Sequence, residues 1–188
     1  MKIRVSSLRL ALDHSDSDLR DGVADRLGLE RRIYPTAYAE LTNFNGDNPT
    51  PDITETGFSV VGPRILEKSG MTPADFKLFC PYDDFLIAMM LQLEQIGFCG
   101  RGEGSDFILE TDMSHTGTLP LNTGGGQISA GQPGLAGGGH NLVEAVRQLF
   151  GDAGERQIPG VPNALVTGIG QIPYGRNWGV SNALVLER

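Results

Sequence analysis

The stretch over residues 83–98 constrains the fold most, because it would be apolar on almost every side of a helix. It reads DDFLIAMMLQLEQIGF, with only one glutamate and two glutamines after its opening pair of aspartates. A helix that is hydrophobic all round is buried on most sides, and this one is shorter than the roughly 18 apolar residues of a membrane span. We therefore predict a buried core helix that Asp83 and Asp84 cap, with its two methionines as core filling.

Patterns elsewhere in the sequence predict a single α/β domain. Residues 13–57 are polar and contain three prolines, so we expect an irregular, insertion-like surface region with room for a short helix over residues 18–28. Strands that alternate with helices indicate a sheet with helices packed on it, and 188 residues with 39% hydrophobic content suit one domain. The predicted helices are residues 59–70 and 139–150, closed by Gly70 and Gly151, and the predicted strands are residues 2–12, 163–169 and 181–187.

Charge and composition exclude several classes of partner. The net charge is −8, and without clustered Lys and Arg the chain is a poor ligand for nucleic acid or for an anionic membrane surface. The N-terminal apolar stretch is broken by Arg9 and followed by acids, unlike a signal peptide. Cys80 and Cys99 are therefore expected to be free thiols in a cytoplasmic protein. The three histidines are scattered, without metal-ligand spacing, so we expect no metal site.

Glycine is concentrated in the second half of the chain, where 20 of the 26 glycines lie between Gly97 and Gly179. Residues 119–149 form a glycine-rich run that opens directly into the predicted second helix. Free N–H groups and the positive dipole end of a helix suit a carbonyl or an anion. The run is neither a Walker loop nor a dinucleotide fingerprint. Close packing of backbone against backbone is an equally good explanation of the glycines.

The order of four segments is more specific than any one of them. TPADFKLFCPYDDF, LEQIGFCGRGEGSDFI, LPLNTGGGQISAGQP and EAVRQLFGDAGERQIPG follow one another in the chain. This series resembles the C-terminal half of thiolases of the sterol-carrier and lipid-transfer branch, over about residues 60–188, with residues 3–12 as the first strand. The resemblance implies a β-α-β-α-β-α-β-β half with a mixed sheet and helices on both faces. It also implies that the helix after Tyr82 lies between the two sheets of a complete thiolase.

The resemblance implies site residues position by position. Tyr82 stands where thiolases carry the Asn or His of their NEAF or HDCF motif, and Gln132 replaces the histidine of the Gly-His-Pro motif. The loop over residues 167–171 lacks the second catalytic cysteine of thiolases. We therefore expect catalytic roles for Tyr82 and Gln132. The substrate-binding positions implied by the same motifs are Asn122, Gly124, Gly125, Gly131, Gly168 and Gly170.

These departures change the chemistry that the chain can support. A glutamine can donate a hydrogen bond to a carbonyl or oxyanion, but it does not take up a proton near neutral pH. Tyr174 and Tyr34 are candidates for a second acid or base beside Tyr82. His140, close to the glycine-rich run, is either a site residue or a surface residue, and Arg101 could meet a phosphate.

Two functions from different classes remain open. The first is a C–C bond-forming or bond-cleaving enzyme for acyl-CoA substrates, of acyltransferase or retro-aldolase type, incomplete without other parts. The second is a non-catalytic acyl-CoA-binding or scaffolding subunit. For either, the resemblance implies coenzyme A thioester as substrate without a tightly bound cofactor, a role in lipid metabolism, and an oligomer with a thiolase-like N-terminal half or homologous subunit. Relatives of the branch also use a small OB-fold, zinc-ribbon partner.

Overall fold

A computed structural model describes residues 17–44, 52–132, 134, 137–170 and 178–188 of the chain. Its centre is a four-stranded mixed sheet with the order β1-β4-β3-β2. β4 pairs antiparallel with β1 and β3, and β3 pairs parallel with β2. The strands are β1 (Tyr34–Thr42), β2 (Phe79–Cys80), β3 (Asn163–Ile169) and β4 (Val180–Glu187).

Helices cover both faces of this sheet, as the sequence predicted. Alternate strand residues point to opposite faces, so Leu165 belongs to one core cluster and its neighbours Ala164 and Val166 belong to the other. α2 and α3 pack on the first face and α5 on the second. The helices are α1 (Ser17–Arg26), α2 (Phe58–Ser69), α3 (Leu86–Ile96), α4 (Gly104–Glu110) and α5 (Gly138–Phe150).

Most predicted elements agree with the structure to within a few residues. α2 and α5 match the two predicted helices, and each ends in a left-handed glycine, Gly70 and Gly151. β3 and β4 match the two predicted strands near the end of the chain. The predicted strand over residues 2–12 lies outside the described residues. None of the described helices has the length and apolar character needed to cross a bilayer.

The expectation of an irregular region over residues 13–57 was wrong for β1. This nine-residue strand forms an edge of the sheet and pairs along its length with β4. Its inward residues Ala37 and Ala39 are small, and Pro35 lies where the register shifts. Proline is tolerated on an edge strand, so the feature that made the segment look irregular is compatible with its position.

The predicted buried helix begins three residues later than expected. α3 starts at Leu86 after an extended Phe85, and no side chain caps it, so the prediction that Asp83 and Asp84 are caps was wrong. From Ala88 onward the helix turns five side chains into the protein, whereas Leu86 and Ile87 in the first turn are 66% and 57% exposed. The described residues form one sheet, so a position of α3 between two sheets stays a prediction.

Candidate functional site

The backbone of Tyr82 is held from both sides at the point where β2 ends. Its N–H donates to Thr167 Oγ1 at 3.1 Å, and its carbonyl accepts from Gln92 Nε2 at 2.8 Å. Thr167 in turn donates to Gln92 Oε1. Thr167 and Gln92 are both almost fully buried, where such bonds carry more weight than in water. β3 and α3 together therefore fix the position from which the tyrosine ring projects.

The side chains of Tyr82 and Gln132 meet, as their proposed common role requires. Gln132 Nε2 donates to the Tyr82 hydroxyl oxygen over 3.2 Å. Tyr82 is 8% exposed, while Gln132 lies on the surface. The first residue of α5, Gly138, is the neighbour of the ring on the helix side, since a Cβ there would lie 3.8 Å from Tyr82 Cε2. The amide and the start of α5 thus lie beside one phenol, and the catalytic roles stay predictions.

Asn122 ties the start of the glycine-rich loop, the part of the run before α5 (residues 122–137), to the residue before Tyr82. It has a left-handed φ of 42°, and its Nδ2 donates to the carbonyl of Pro81 at 2.9 Å. Asn141 of α5 donates to the same carbonyl at 2.5 Å. Within the described part of the chain, the buried Oδ1 atoms of both asparagines have no hydrogen-bond partner. Such acceptors are usually satisfied by water or a ligand.

Asp83 holds the next part of the loop instead of capping α3. Its Oδ1 accepts from the backbone N–H of Gln127 at 2.7 Å. Gly126, which precedes Gln127, has a φ of 57°, and a Cβ there would lie 2.2 Å from Asp83 Oδ2. Only glycine fits this position without a shift of the carboxylate or the backbone. Gln127 Nε2 closes the loop by donating to the Gly137 carbonyl at 2.6 Å.

Four of the five predicted glycines lie in three different settings. Gly124 lines a shallow depression beside the loop, together with Asn122, His140 and Glu144. Gly131 is exposed, with a φ of 120°. Gly168 and Gly170 leave room for side chains of β4: a Cβ would lie 2.7 Å from Asn182 Oδ1 at Gly168 and 2.6 Å from Val180 Cβ at Gly170. Packing against β4 thus explains why glycine occupies positions 168 and 170. Substrate contact at these two positions stays a prediction.

Of the alternative candidates, Tyr34 and Arg101 lie away from Tyr82. Tyr34 starts β1 at the opposite end of the sheet, since it pairs with Glu187, which pairs with the first residue of β3. Arg101 forms an ion pair with Asp52. Tyr174 is outside the described residues. His140 lies exposed in the first turn of α5. In the described ranges, no three His, Cys, Asp or Glu side chains are grouped to hold a metal ion.

Burial makes two ionisable groups near the site unusual. The pKa of the Cys80 thiol is raised far above its ordinary value by burial, and the negative charges of Glu144 and Asp83 raise it further. Cys80 is therefore a neutral core thiol and a poor nucleophile. Burial also raises the pKa of Asp84, against backbone hydrogen bonds that lower it.

Several polar residues that hold this site were not predicted from the sequence. Glu144, Gln148 and Asn141 are buried on α5, and Gln92 is buried on α3. Gln92 carried a usable signal, because it is a polar residue inside an otherwise apolar helix and must find partners when buried. Glu144 and Gln148 carried no such signal in the sequence, because their spacing placed them on the polar side of an amphipathic helix.

Comparisons with known proteins agree with this geometry. Residues 41–177 match the family model described as "Thiolase C-terminal domain-like". The chain is 37% identical over 147 residues, 78% of its length, to a "Steroid side-chain-cleaving aldolase" of Thermomonospora curvata. It is 40% identical over 108 residues, 57% of its length, to "17-hydroxy-3-oxo-4-pregnene-20-carboxyl-CoA lyase" of Mycobacterium tuberculosis. "Sterol carrier protein 2" of Homo sapiens is 38% identical over 107 residues, again 57% of this chain.

The matched regions are parts of longer proteins. They make up 34%, 27% and 20% of these three relatives. A solved "Ltp2-ChsH2(DUF35) aldolase" superposes with a TM-score of 0.68 at 29% identity, over 82% of this chain and 39% of that one. The matched family model, the α/β architecture and the order of the motifs around Tyr82 and the glycine-rich loop lead to one assignment. The chain belongs to the thiolase C-terminal domain-like family.

Proposed function

We propose that the chain is the C-terminal part of a thiolase-like enzyme that cleaves a C–C bond of an acyl-CoA thioester by a retro-aldol reaction. The observation that carries this proposal is the hydrogen bond between Gln132 Nε2 and the Tyr82 hydroxyl oxygen. The names of two relatives, an aldolase and a carboxyl-CoA lyase, support the same reaction class. A carbon–carbon acyltransferase is less well supported, because Gln132 cannot serve as the base that thiolase chemistry needs.

The direction of the Tyr82–Gln132 bond determines what the phenol can do. Because the amide N–H donates to the phenol oxygen, the phenol keeps its own O–H free to donate to a substrate oxygen. A phenol with a free O–H acts as a hydrogen-bond donor. We therefore propose that Tyr82 donates a hydrogen bond to the thioester carbonyl oxygen. Negative charge develops on this oxygen when the bond between Cα and Cβ breaks.

The complete reaction needs one further group. A retro-aldol step removes the proton of a β-hydroxyl, forms a carbonyl at Cβ, and leaves the electron pair of the broken bond in a thioester enolate that is protonated at Cα. The described residues around Tyr82 supply a donor for the enolate oxygen, while the base for the hydroxyl proton is assigned to a companion segment or subunit. No tightly bound cofactor is required for this step.

The surface beside the site supports such a companion. Phe85, Leu86 and Ile87 are each more than half exposed directly after the Tyr82-Asp83-Asp84 segment. Ile128, 49% exposed, follows Gln127, whose backbone is held by Asp83. Grouped exposed apolar side chains mark interaction sites. We propose that a thiolase-like N-terminal half or homologous subunit covers them. The same proposal includes an OB-fold, zinc-ribbon partner elsewhere on the protein. It also includes a cytoplasmic location, which two free cysteines suggest.

A tyrosine pair tests the proposed chemistry. In the complete complex, Tyr82→Phe removes the phenol O–H at the site, and we expect turnover of β-hydroxyacyl-CoA to fall by about 100-fold or more with little change in thioester binding. Tyr34→Phe makes the same change at the opposite end of the sheet and should leave turnover near that of the wild type. The measurement is release of the carbonyl product together with thioester binding by calorimetry.

A second function is favoured by a specific observation. The histidine of thiolases is Gln132 here, and the loop over residues 167–171 has no cysteine. A chain with these losses could bind acyl-CoA or support a partner without chemistry of its own. Unchanged turnover in Tyr82→Phe would contradict the catalytic assignment and favour this binding role.

A further inference from the structure

A buried carboxylate on α5 is the feature that the proposed reaction leaves unexplained. The side chain of Glu144 is 7% exposed. Its Oε1 accepts from Thr123 Oγ1 at 2.8 Å and from Gln148 Nε2 at 3.1 Å, and its Oε2 lies 3.2 Å from Arg156 Nη2. A charge is costly to bury unless it is paired and hydrogen-bonded. All three partners of Glu144 satisfy that need, and one of them belongs to the glycine-rich loop.

A short series of hydrogen bonds and peptide links joins that loop contact to Tyr82. Thr123 directly follows Asn122, whose left-handed backbone turns its Nδ2 onto the Pro81 carbonyl at 2.9 Å. Pro81 directly precedes Tyr82. Two hydrogen bonds and two peptide links thus join Glu144 to Tyr82.

The loop leaves little freedom at the same point. A Cβ on Gly124 would lie 2.9 Å from Glu144 Cδ, so the backbone after Thr123 is in direct contact with the carboxylate. Thr123 is held a second time by Gln148 Nε2 at 3.1 Å. Gln148 itself is fixed by the Ile158 N–H and by the Arg156 carbonyl, both at 2.8 Å. The anchor of Thr123 is therefore rigid compared with a single surface hydrogen bond.

We propose that Glu144, oriented by Arg156, is a positioning residue that sets the place of the Tyr82 hydroxyl through Thr123 and Asn122. Its importance for turnover rests on the proposed function, whereas the hydrogen bonds that join it to Tyr82 belong to the structure. A purely structural role would make Glu144 and Thr123 matter for stability alone. A positioning role requires that the surroundings of the Tyr82 ring change when the Thr123 bond is lost in a protein that remains folded.

A pair of variants at Thr123 separates these roles. Thr123→Val keeps the shape of the side chain and removes the hydroxyl, whereas Thr123→Ser keeps the hydroxyl. In the complete complex, with only this chain carrying tyrosine labelled with carbon-13 at Cζ, Tyr82→Phe identifies the Tyr82 signal among four tyrosines. We expect Thr123→Val and Glu144→Gln to displace this signal, and Thr123→Ser to leave it at the wild-type position.

Turnover gives the second measurement. The loss of one hydrogen bond should lower kcat about five- to tenfold in Thr123→Val with KM nearly unchanged, and Thr123→Ser should restore it. A Tyr82 signal that stays in place in folded Thr123→Val would overturn the positioning role, whatever its melting temperature. Should Glu144→Gln fail to fold, the Thr123 pair still decides. A displaced signal with unchanged turnover in Tyr82→Phe would support the positioning and contradict the proposed reaction.

Discussion

Helices α3 and α5 pack on opposite faces of one sheet and bury different kinds of side chain. Of the five buried residues of α3, only Gln92 is polar, while Asn141, Glu144 and Gln148 make up three of the five on α5. The α3 face is completed by large side chains such as Phe58 and Phe79. Both faces have an apolar core cluster, and the second face adds hydrogen bonds of α5 that reach the loop beside Tyr82. Gln92 of α3 holds the backbone of Tyr82, whereas the polar residues of α5 hold the loop beside it.

Leu93→Ala should have the largest effect on stability, because Leu93 is fully buried on the apolar face. Removing a buried leucine side chain costs about 2–5 kcal/mol of the free energy of unfolding. Denaturant unfolding of the chain measures this loss. Leu86→Ala, on the same helix but 66% exposed, is the matched control and should change stability by about 0.5 kcal/mol or less. Equal losses would mean that the face is not packed as described.

Gly126→Ala tests the loop that the polar face supports. The added Cβ would meet the Asp83 carboxylate at 2.2 Å in a left-handed backbone, so we expect a loss of about 2–3 kcal/mol. Gly28→Ala has a similar φ of 63° with open space around it, and should lose only about 1 kcal/mol. Thermal unfolding compares the two. A smaller loss at Gly126 than at Gly28 would contradict the close approach of Asp83.

Gln148→Leu would break the hydrogen bonds of the α5 face while keeping an apolar residue of similar size. The Ile158 N–H and the Arg156 carbonyl would each lose a partner, which we expect to cost about 1–3 kcal/mol. A displaced carbon-13 signal of Tyr82 in this variant would also show that the α5 hydrogen bonds influence the site. A variant as stable as the wild type would show that this face, too, is held mainly by apolar packing.

Asp84→Asn should have the smallest effect and the opposite sign. Burial raises the pKa of Asp84 in the folded state, so the aspartate favours folding at pH values below its unfolded pKa and loses that contribution as pH rises through the folded pKa. The neutral asparagine avoids the cost, which solvent screening keeps small at a partly exposed group. We therefore expect it to be roughly a few tenths of a kcal/mol more stable at pH 7. The difference should vanish near pH 3. Greater stability of the wild type at pH 7 would contradict the burial effect.

The predictability of the fold followed the strength of the hydrophobic pattern. α2 and α5 carry clear helical periodicity, and β3 and β4 contain short continuous apolar runs. Each was predicted within a few residues. β1 was missed because its inward residues Ala37 and Ala39 are small and Pro35 suggests a turn. The start of α3 was misplaced because Asp83 is a good capping residue in sequence, whereas in the fold its carboxylate binds the Gln127 backbone.

Site residues were predictable only at positions that correspond to a family motif. Tyr82 and Gln132 lie 50 residues apart, and their contact follows from the order of motifs rather than from local pattern. Thr123, Glu144 and Arg156 lie within the quoted segments, but the resemblance assigns them no role. Their bonds depend on how α5 lies against the loop. Polar networks of this kind are determined by tertiary contacts, so a single sequence does not reveal them.

The Pro81 carbonyl, which accepts from both Asn122 and Asn141, has a consequence for the alignment of the sheet. Both lone pairs of the oxygen are used, and proline has no N–H. The ladder between β2 and β3 therefore cannot continue past Cys80. If β2 slid by one residue along β3, its side chains would exchange faces and Pro81 would have to enter the ladder at the loss of both asparagine bonds. A strand of only two residues is thereby locked into a single register.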